Sequence, residues 1–225
     1  MAALKHVLAQ LKTMGIQRVK LTGGEPYVRE DIDDVIAHCS RLDLDVTLCS
    51  NGTLLDDQRI RVLHQANGKI KVGLHGTPEL HDTLVGAHVA HQVHSNIVRC
   101  LQVGVKLSIH TLLTRMSDPM AVIDYMIDFC VSNGISKLSF IPFVPRGRGR
   151  NCSTAYALDS QELTTLQEYL RQVAGKRPLD IRYIDLWTKA YYTVETDGSA
   201  IWSKETEDSD SFIEPLWEGR TNEDS

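Results

Sequence analysis

The amino-acid sequence predicts an α/β protein, namely a partial, open (β/α) barrel of about five parallel strands followed by a small C-terminal α+β extension. Helical and β-type patterns alternate along residues 1–150. Helices between successive strands require a parallel sheet with right-handed crossovers. A hydrophobic content of 42% and a charged content of 24% in 225 residues are ordinary for a globular protein that buries a sizeable core.

The alternation can be followed element by element through residues 1–150. The first helix carries apolar residues at helical spacing from Leu4 to Met14, and Gly15 is its stop signal. A β-type run from Arg18 to Lys20 follows and ends in a turn. Further strands are predicted at 45–49, 69–74, 105–113 and 136–143, with helices at 31–42, 56–65, 88–103 and 118–133. Residues 75–87 are rich in Gly, Pro and His, and they are predicted to form a loop.

Residues 151–225 are predicted to form the C-terminal extension. It contains a helix at 159–173, a strand at 180–184, and two short strands that flank Asp197-Gly198, which is a strong β-hairpin signal. Acidic residues dominate the segment 203–225. This segment is therefore predicted to be a mostly solvated tail.

Charge, hydropathy and cysteine usage argue against several classes of protein. The net charge of −5 argues against a nucleic-acid partner. No apolar run approaches the length of a membrane span, and the N-terminus lacks the apolar core of a signal peptide, so a cytoplasmic protein without a membrane partner is expected. The five cysteines are scattered and odd in number. They predict neither a disulfide framework nor a CxxC metal site, and no metal ligand is predicted.

The stretch Gly23-Gly24-Glu25-Pro26 is the strongest candidate for a functional site. It lies at the C-terminal end of a predicted strand, which is where parallel α/β sheets bind ligands. The two glycines let a ligand approach the backbone, Glu25 can accept a hydrogen bond from an amine, and Pro26 stiffens the turn. These properties indicate a backbone cradle for a small zwitterion. An ordinary strand-to-helix turn is the alternative interpretation of this motif taken alone.

Three motifs in a fixed order carry a family resemblance. They are Leu-Thr-Gly-Gly-Glu-Pro at 21–26, Thr-Leu-Cys-Ser-Asn-Gly-Thr-Leu-Leu at 47–55 and Lys-Val-Gly-Leu-His-Gly at 71–76. Over about residues 1–150 they resemble the radical SAM superfamily, in particular the branch that contains the molybdenum-cofactor enzyme MoaA and the peptide-maturing enzymes. The resemblance implies a TIM-like barrel that binds S-adenosylmethionine, with the Gly-Gly-Glu-Pro turn around its amino group. It implies a cofactor site formed by Gly23, Gly24, Glu25, Pro26, Ser50, Asn51, Gly73, His75, His110 and Ile141.

The resemblance also implies a [4Fe–4S] cluster. In the family, this cluster is held by a CxxxCxxC loop after the first of six strands. The present sequence begins at the helix that follows that loop, so no residue in it is matched to a cluster ligand. We expect either a fragment of a longer enzyme or a relative that has lost the cluster. In both cases this chain by itself is expected to bind no cluster and to be inactive, and an in-frame CxxxCxxC upstream of Met1 would indicate the fragment.

Two functions from different classes follow from the resemblance. The first is the core of an enzyme that cleaves S-adenosylmethionine reductively. The 5′-deoxyadenosyl radical then abstracts a hydrogen atom from a peptide or a small-molecule substrate. The alternative is a non-catalytic relative that binds a ligand or a peptide in the partial barrel.

The sequence departs from the family pattern at three positions. Gly73 stands where relatives have a Ser that hydrogen-bonds the cofactor, and His110 stands where an Asn is common. Val85 occupies the place of an Arg that pairs with the cofactor carboxylate in some members. Loss of such an ion pair removes charge-assisted hydrogen bonds worth about 1.5–3 kcal/mol. The set of cofactor ligands is therefore expected to differ from that of other branches.

Histidines and arginines supply further candidates. His75 and His110 are predicted near strand C-termini at the barrel mouth, where a neutral imidazole can shuttle protons near pH 7. For the other histidines of the segment 81–94, solvated helix polarity is favoured over a transition-metal site. Arg146 and Arg148 follow the fifth strand. They are predicted either to bind a phosphate or carboxylate of the substrate or to belong to a solvated linker.

The first strand of the predicted sheet has no partner on one side. Unpaired backbone groups at a sheet edge tend to pair with another chain. A homodimer through this edge, or poor solubility, is therefore expected.

Overall fold

The structure is a computed structural model, and it describes residues 2–145, 147–186, 191–195, 198–203 and 211–215. Short 3₁₀ turns cover Pro26–Val28 and Gly147–Cys152. The helices and strands are α1 (Ala2–Thr13), β1 (Arg18–Leu21), α2 (Ile32–Arg41), β2 (Asp45–Ser50), α3 (Asp57–Gln65), β3 (Lys69–Gly73), α4 (Pro78–Val85), α5 (Ala90–Val103), β4 (Lys106–Leu113), α6 (Pro119–Ser132), β5 (Lys137–Pro142), α7 (Ser153–Tyr156), α8 (Ser160–Val173), β6 (Asp180–Tyr183), β7 (Tyr191–Val194), β8 (Ser199–Ser203) and β9 (Ser211–Pro215).

Strands β1 to β6 form one parallel sheet in sequential order, β1-β2-β3-β4-β5-β6. Each neighbouring pair is parallel, for example Lys20 beside Thr47 and Gly73 beside His110. In the described part of the chain β1 and β6 are the two edges, so the barrel is open. The predicted α/β class and the partial barrel are confirmed.

The hydrophobic core lies between this sheet and the helices that cover its outer face. Alternate residues of each strand point to the same face of a sheet. On the outer face, Leu48, Ile70, Val72 and Ile109 are fully buried. Helices α2, α3, α5 and α6 cover them with apolar side chains such as Val35, Ile36, Leu63, Ile97, Ile123 and Met126. The inner face of the sheet is polar.

The parallel sheet has a sixth strand, β6, that comes from the range assigned to the extension. Helix α8 is the crossover that brings the chain back. A capping box starts this helix, in which Asp159 accepts from the N–H of Glu162 and Glu162 accepts from the N–H of Asp159. Leu170 packs in the core, and β6 then pairs with β5. The sheet therefore continues past residue 150, where the sequence placed a division between the barrel and the extension.

The segment predicted as a loop at 75–87 contains helix α4, so that prediction was wrong. Thr77 caps the helix, Pro78 occupies its first turn, and Gly86 ends it in a left-handed conformation with φ of +74°. These are ordinary helix start and stop residues. They were interpreted as loop residues because only eight residues lie between Thr77 and Gly86. The loop after α4 is tied back by Asp82, whose Oδ1 atom accepts from two N–H groups at the start of α5.

The C-terminal strands form a separate antiparallel sheet, β7-β8-β9. Strands β7 and β8 pair from Tyr191 with Ser203 to Val194 with Ala200, as the hairpin signal predicts; Asp197 lies outside the described residues. Strand β9 lies in the segment predicted as a mostly solvated tail, and it pairs with β8. The rest of the acidic segment, 204–210 and 216–225, lies outside the described residues. Among the helices that the structure describes, none is long and apolar enough to cross a lipid bilayer.

Candidate functional site

The Gly23-Gly24 turn lies at the C-terminal end of β1 and is open to solvent. Both glycines are exposed, and Gly23 has a φ of +140°, which L side chains rarely adopt. A Cβ atom added to Gly24 would meet no atom within 4 Å. Within the described residues, the backbone of these two glycines forms no hydrogen bond with other backbone groups. Their peptide groups are therefore available to a ligand, as a cradle for a zwitterion requires.

The Glu25 carboxylate joins this turn to the end of β2. Its Oε1 atom accepts hydrogen bonds from the N–H of Tyr27 at 3.1 Å and from the hydroxyl of Ser50 at 2.9 Å. Its Oε2 atom accepts from the N–H of Asn51 at 2.6 Å. A carboxylate offers about four lone-pair positions. Three are occupied by the protein, and one on Oε2 is left for a donor such as the ammonium group of a ligand.

The residues after Glu25 anchor the turn in the core. Pro26 opens a 3₁₀ turn, and the side chain of Tyr27 is 1% exposed. The guanidinium of Arg59 lies 5.0 Å from the centre of the Tyr27 ring, within range of a cation–π contact. Burial raises the pKa of the Tyr27 hydroxyl, which stays neutral. The open glycines are thus held between β1 and a rigid buried segment.

Ser50 and Asn51, two residues predicted to bind the cofactor, lie at the end of β2 and contact Glu25 directly. Ser50 is buried, and its Oγ atom also accepts from the N–H of Gly52 at 2.9 Å. The Oδ1 atom of Asn51 accepts from the N–H and the hydroxyl of Thr53 at 2.9 and 2.7 Å. These two turns fix the loop against Glu25. The structure therefore brings the first two predicted motifs together in one hydrogen-bonded unit.

The third motif brings Gly73 and His75 together with His110. An ideal Cβ on Gly73 would lie 3.3 Å from Nε2 of His110 and 3.4 Å from Cε1 of His75. The ring centroid of His75 lies 6.4 Å from that of His110 and 5.3 Å from that of His81. A serine at position 73, which the family pattern has, would crowd these imidazoles. Glycine at this position is thus matched to the two histidines beside it.

The tautomer of His75 follows from its hydrogen bond. Its Nδ1 atom accepts from the backbone N–H of Leu112 at 3.2 Å, so the proton of the neutral ring is on Nε2. Burial, with His110 and His81 nearby, lowers the pKa of His75 to about 3. Burial, with Lys71 and Lys20 nearby, lowers the pKa of His110 to about 4. Both rings are therefore neutral near pH 7, and the proton-shuttle role of either ring stays a prediction.

These lowered pKa values predict a dependence of stability on pH. The unfolded chain binds protons at its histidines with the ordinary pKa of 6.5, whereas folded His75 and His110 bind them only near pH 3 and 4. Stability is therefore full above pH 6.5 and is lost as the pH falls below it, by up to about 1.4 kcal/mol per pH unit for each ring.

The prediction is checked by urea unfolding between pH 7 and pH 5, where most carboxylates do not titrate. The His110→Gln variant should lose less stability over this range than the wild type. The exposed His91 provides a matched control, and His91→Gln should keep the slope of the wild type. Equal slopes for all three proteins would contradict the prediction.

The inner face of the sheet is rich in basic side chains. By register and alternation, one face carries Lys20 and Lys71 together with Cys49 and His110. The same face carries further basic residues, Arg18, Lys69, Lys106, Lys137 and Arg182, against two acidic ones, Asp45 and Asp180. Asp45 pairs with Lys69, and Asp180 pairs with Arg182. In a chain of net charge −5 this is a local excess of positive charge.

Lys20 and Lys71 were not among the functional residues predicted from the sequence. Their signal was present in the strict alternation of Arg18-Val19-Lys20-Leu21 in β1, and β3 alternates in the same way. Basic residues at every second position of a strand share one face. The pattern becomes informative only when neighbouring strands and their register are known.

The remaining positions that the sequence linked to the cofactor or the substrate are dispersed. Ile141 is half-buried near the end of β5 beside Leu112. Val85 is the last residue of α4 and 42% exposed. Arg146 lies outside the described residues, as does the side chain of Arg148. The predicted substrate role of the two arginines therefore stays a prediction.

The described histidine and cysteine side chains do not form a metal site. Among the described residues, no group of three His, Cys, Asp or Glu side chains is arranged to hold a metal ion. Cys39, Cys100 and Cys130 are fully buried, and burial raises their pKa values to about 11, 11 and 12. Such thiols are poor sources of the thiolates that bind iron. The described cysteines therefore do not fit a [4Fe–4S] cluster.

Comparisons with known proteins identify relatives in sequence and in fold. A GTP 3′,8-cyclase of Aquifex aeolicus is 28% identical over 174 residues, which is 74% of this chain and 53% of the relative. The crystal structure of Streptococcus suis SuiB bound to S-adenosylmethionine has a TM-score of 0.71 at 21% identity, over 82% of this chain and 43% of that one. The structure of native anSMEcpe with bound AdoMet has a TM-score of 0.70 at 16% identity, over 90% and 65%. The two structural likenesses establish the fold.

The chain spans about half the length of the curated relatives that it matches, since it covers 53% and 51% of two of them. The family profile described as the radical SAM superfamily matches residues 1–124, which is more than half of the chain. This match confirms the resemblance predicted from the three motifs. The chain therefore belongs to the radical SAM superfamily.

Proposed function

We propose that this chain is the S-adenosylmethionine-binding core of a radical SAM enzyme. The observation that carries the proposal is the open backbone of Gly23 and Gly24 beside a Glu25 carboxylate that has one lone-pair position left. When bound and reductively cleaved, S-adenosylmethionine supplies the 5′-deoxyadenosyl radical that abstracts a hydrogen atom from the substrate.

The residues of this chain would bind and orient the amino-acid part of S-adenosylmethionine. Its ammonium group would donate to the carbonyl groups of the glycine turn and to Oε2 of Glu25. Such charge-assisted bonds are stronger than neutral ones. Because Ser50, Asn51 and Tyr27 already donate to Glu25, the carboxylate is held in place before the ligand arrives. Preorganisation of this kind lowers the entropy cost of binding.

The described residues of this chain do not supply ligands for the [4Fe–4S] cluster that the family uses. The role proposed for the chain is to bind the sulfonium substrate and to shape the barrel mouth.

We further propose that the substrate is a small molecule or a peptide that carries an anionic group. Lys20 and Lys71 lie near His110 on the inner face, and their positive charge contributes to its lowered pKa. This face also carries Arg18, Lys69, Lys106, Lys137 and Arg182 against Asp45 and Asp180, and such an excess of basic residues attracts a phosphate or a carboxylate. One relative is a GTP 3′,8-cyclase, and one structure of similar fold is SuiB bound to the precursor peptide SuiA, which is compatible with a small-molecule or a peptide substrate.

The proposed function is tested by calorimetric titration of S-adenosylmethionine into the purified chain. We expect saturable binding with one site per chain. Methionine and adenosine, added separately, should bind much more weakly because each offers only part of the ligand. Absence of heat and of any shift in melting temperature at millimolar S-adenosylmethionine would count against the proposal.

We also propose that the chain forms a homodimer through β1. This strand is an edge of the sheet, and its outward backbone groups have no partner strand among the described residues. It is only four residues long and carries Arg18 and Lys20, which limits uncontrolled pairing. Light scattering at increasing concentration should show a monomer–dimer equilibrium, and Val19→Pro should shift it to monomer. A monomer at high concentration would contradict this proposal.

A further inference from the structure

Helix α5 presents a row of polar side chains to the loop that follows β2. Gln92, Asn96 and Arg99 lie at helical spacing on one side of α5, and all three contact residues 52–57. Gln92 is exposed and Arg99 is half-buried, whereas Asn96 is 4% exposed. A fully buried side-chain amide is costly unless both of its ends are hydrogen-bonded.

Both ends of the Asn96 amide are satisfied. Its Nδ2 atom donates to the carbonyl oxygen of Gly52 at 2.8 Å, and its Oδ1 atom accepts from Nη1 of Arg99 at 3.0 Å. Arg99 in turn forms an ion pair with Asp57 at the start of α3. Gln92 adds a hydrogen bond to the carbonyl oxygen of Thr53 at 2.7 Å. The loop is therefore held from α5 by donors directed at its backbone carbonyls.

The hydrogen bonds continue from Asn96 to the glycine turn. Gly52 has a left-handed backbone with φ of +80°, and its N–H donates to Oγ of Ser50 at 2.9 Å. Ser50 and the N–H of Asn51 both donate to Glu25. One buried side chain on α5 is thus connected through Gly52 and Ser50 to the carboxylate beside the open glycines.

We infer that Asn96 is a positioning residue for the S-adenosylmethionine site. It holds the carbonyl of Gly52, and therefore the peptide planes of residues 50–52, in the orientation that presents the Ser50 hydroxyl and the Asn51 N–H to Glu25. The inference rests on the proposed function for its ligand. The positioning itself is a property of the protein without any ligand. Asn96 does not touch the ligand, so its effect is indirect.

The test uses Asn96→Asp. This substitution keeps the size of the side chain and its acceptor for Arg99, but it replaces the donor to Gly52 by an oxygen that repels the carbonyl. In the free protein, the backbone amide resonances of Asn51 and Gly52 should move in a two-dimensional NMR spectrum. The dissociation constant for S-adenosylmethionine should rise about three- to tenfold, as expected for the loss of one supporting hydrogen bond.

Two further variants keep the test decisive. Ile97→Val removes one methylene from the adjacent, fully buried position of α5. It should lower stability without changing the binding constant or the Asn51 resonance. Gln92→Ala, at an exposed position where folding is not at risk, should weaken binding about twofold.

The outcomes separate this inference from the proposed function. Unmoved amide resonances in Asn96→Asp, or an unchanged binding constant in both Asn96→Asp and Gln92→Ala, would overturn the inference. The same weakening in Ile97→Val would also overturn it, because any loss of stability would then suffice. If the wild type binds no S-adenosylmethionine, the proposed function fails. The resonances of Asn51 and Gly52 then still decide whether Asn96 positions the loop.

Discussion

The Gly24→Val variant should bind S-adenosylmethionine about ten to a hundred times more weakly than the wild type, since hydrogen bonds to a charged group worth about 1.5–3 kcal/mol are lost. Gly24 lies outside the φ range that strains L side chains, and an added Cβ would contact no atom within 4 Å. The branched side chain would instead fill the space in which the ligand must approach the backbone. The melting temperature should therefore stay close to that of the wild type.

Calorimetric titration measures this effect, with Thr53→Ser as the control on the same rim. Serine keeps the hydroxyl that donates to Asn51, so the control should bind as the wild type does. Glu25→Gln is a less specific probe. A glutamine nitrogen cannot accept from the N–H of Tyr27 or Asn51, so the loop itself would be disturbed. If Gly24→Val binds as tightly as the wild type, the turn is only a connection between a strand and a helix.

The Gly52→Ala variant should be destabilised by about 2–4 kcal/mol, which combines a left-handed alanine with overpacking of the core. The backbone of Gly52 has φ of +80°, and an added Cβ would lie 2.9 Å from Cγ1 of Val72 and 3.2 Å from Cγ1 of Val93. Both valines are fully buried and cannot yield without moving β3 or α5. For a domain of this size the melting temperature should fall by roughly 4–16 °C.

Thermal unfolding followed by circular dichroism measures this loss, and Gly86→Ala is the matched control. Gly86 also has a left-handed backbone, with φ of +74°, but nothing lies within 4 Å of its added Cβ. The control isolates the backbone strain, so it should lose about 1–2 kcal/mol. Equal losses in the two variants would show that the contact with Val72 and Val93 does not matter.

The individual elements were predictable where the chain signals them locally. The alternation of apolar residues in β2 and β4 and the helical spacing in α2 and α5 predicted the parallel sheet and its buried outer face. Helix α4 was missed although Thr77, Pro78 and Gly86 mark both of its ends. Eight residues that begin with a proline and are followed by a glycine also fit a loop, and only packing against α5 distinguishes a helix from a loop here.

Strand β6 was predicted from its local pattern, but its pairing partner was not. Residues 180–184 were predicted as a strand, but its place in a sheet was not determined by its own pattern. It joins β5 because α8 is long enough to cross the sheet and because Leu166 and Leu170 pack in the core. Pairing partners depend on contacts between elements, which a local pattern does not contain.

The sequence by itself determined the family and predicted the place of the ligand site. Glycines at the end of a strand, followed by Glu25 and Pro26, are a local feature, and parallel sheets bind ligands at that end. The tertiary structure alone decided what supports the site. Glu25 is held by Ser50, which lies 25 residues away, and Asn96 reaches Gly52 across 44 residues. The basic residues of separate strands share one inner face only through the register of the sheet. Interactions over such separations arise from the packing of whole elements, and no local periodicity in the chain encodes them.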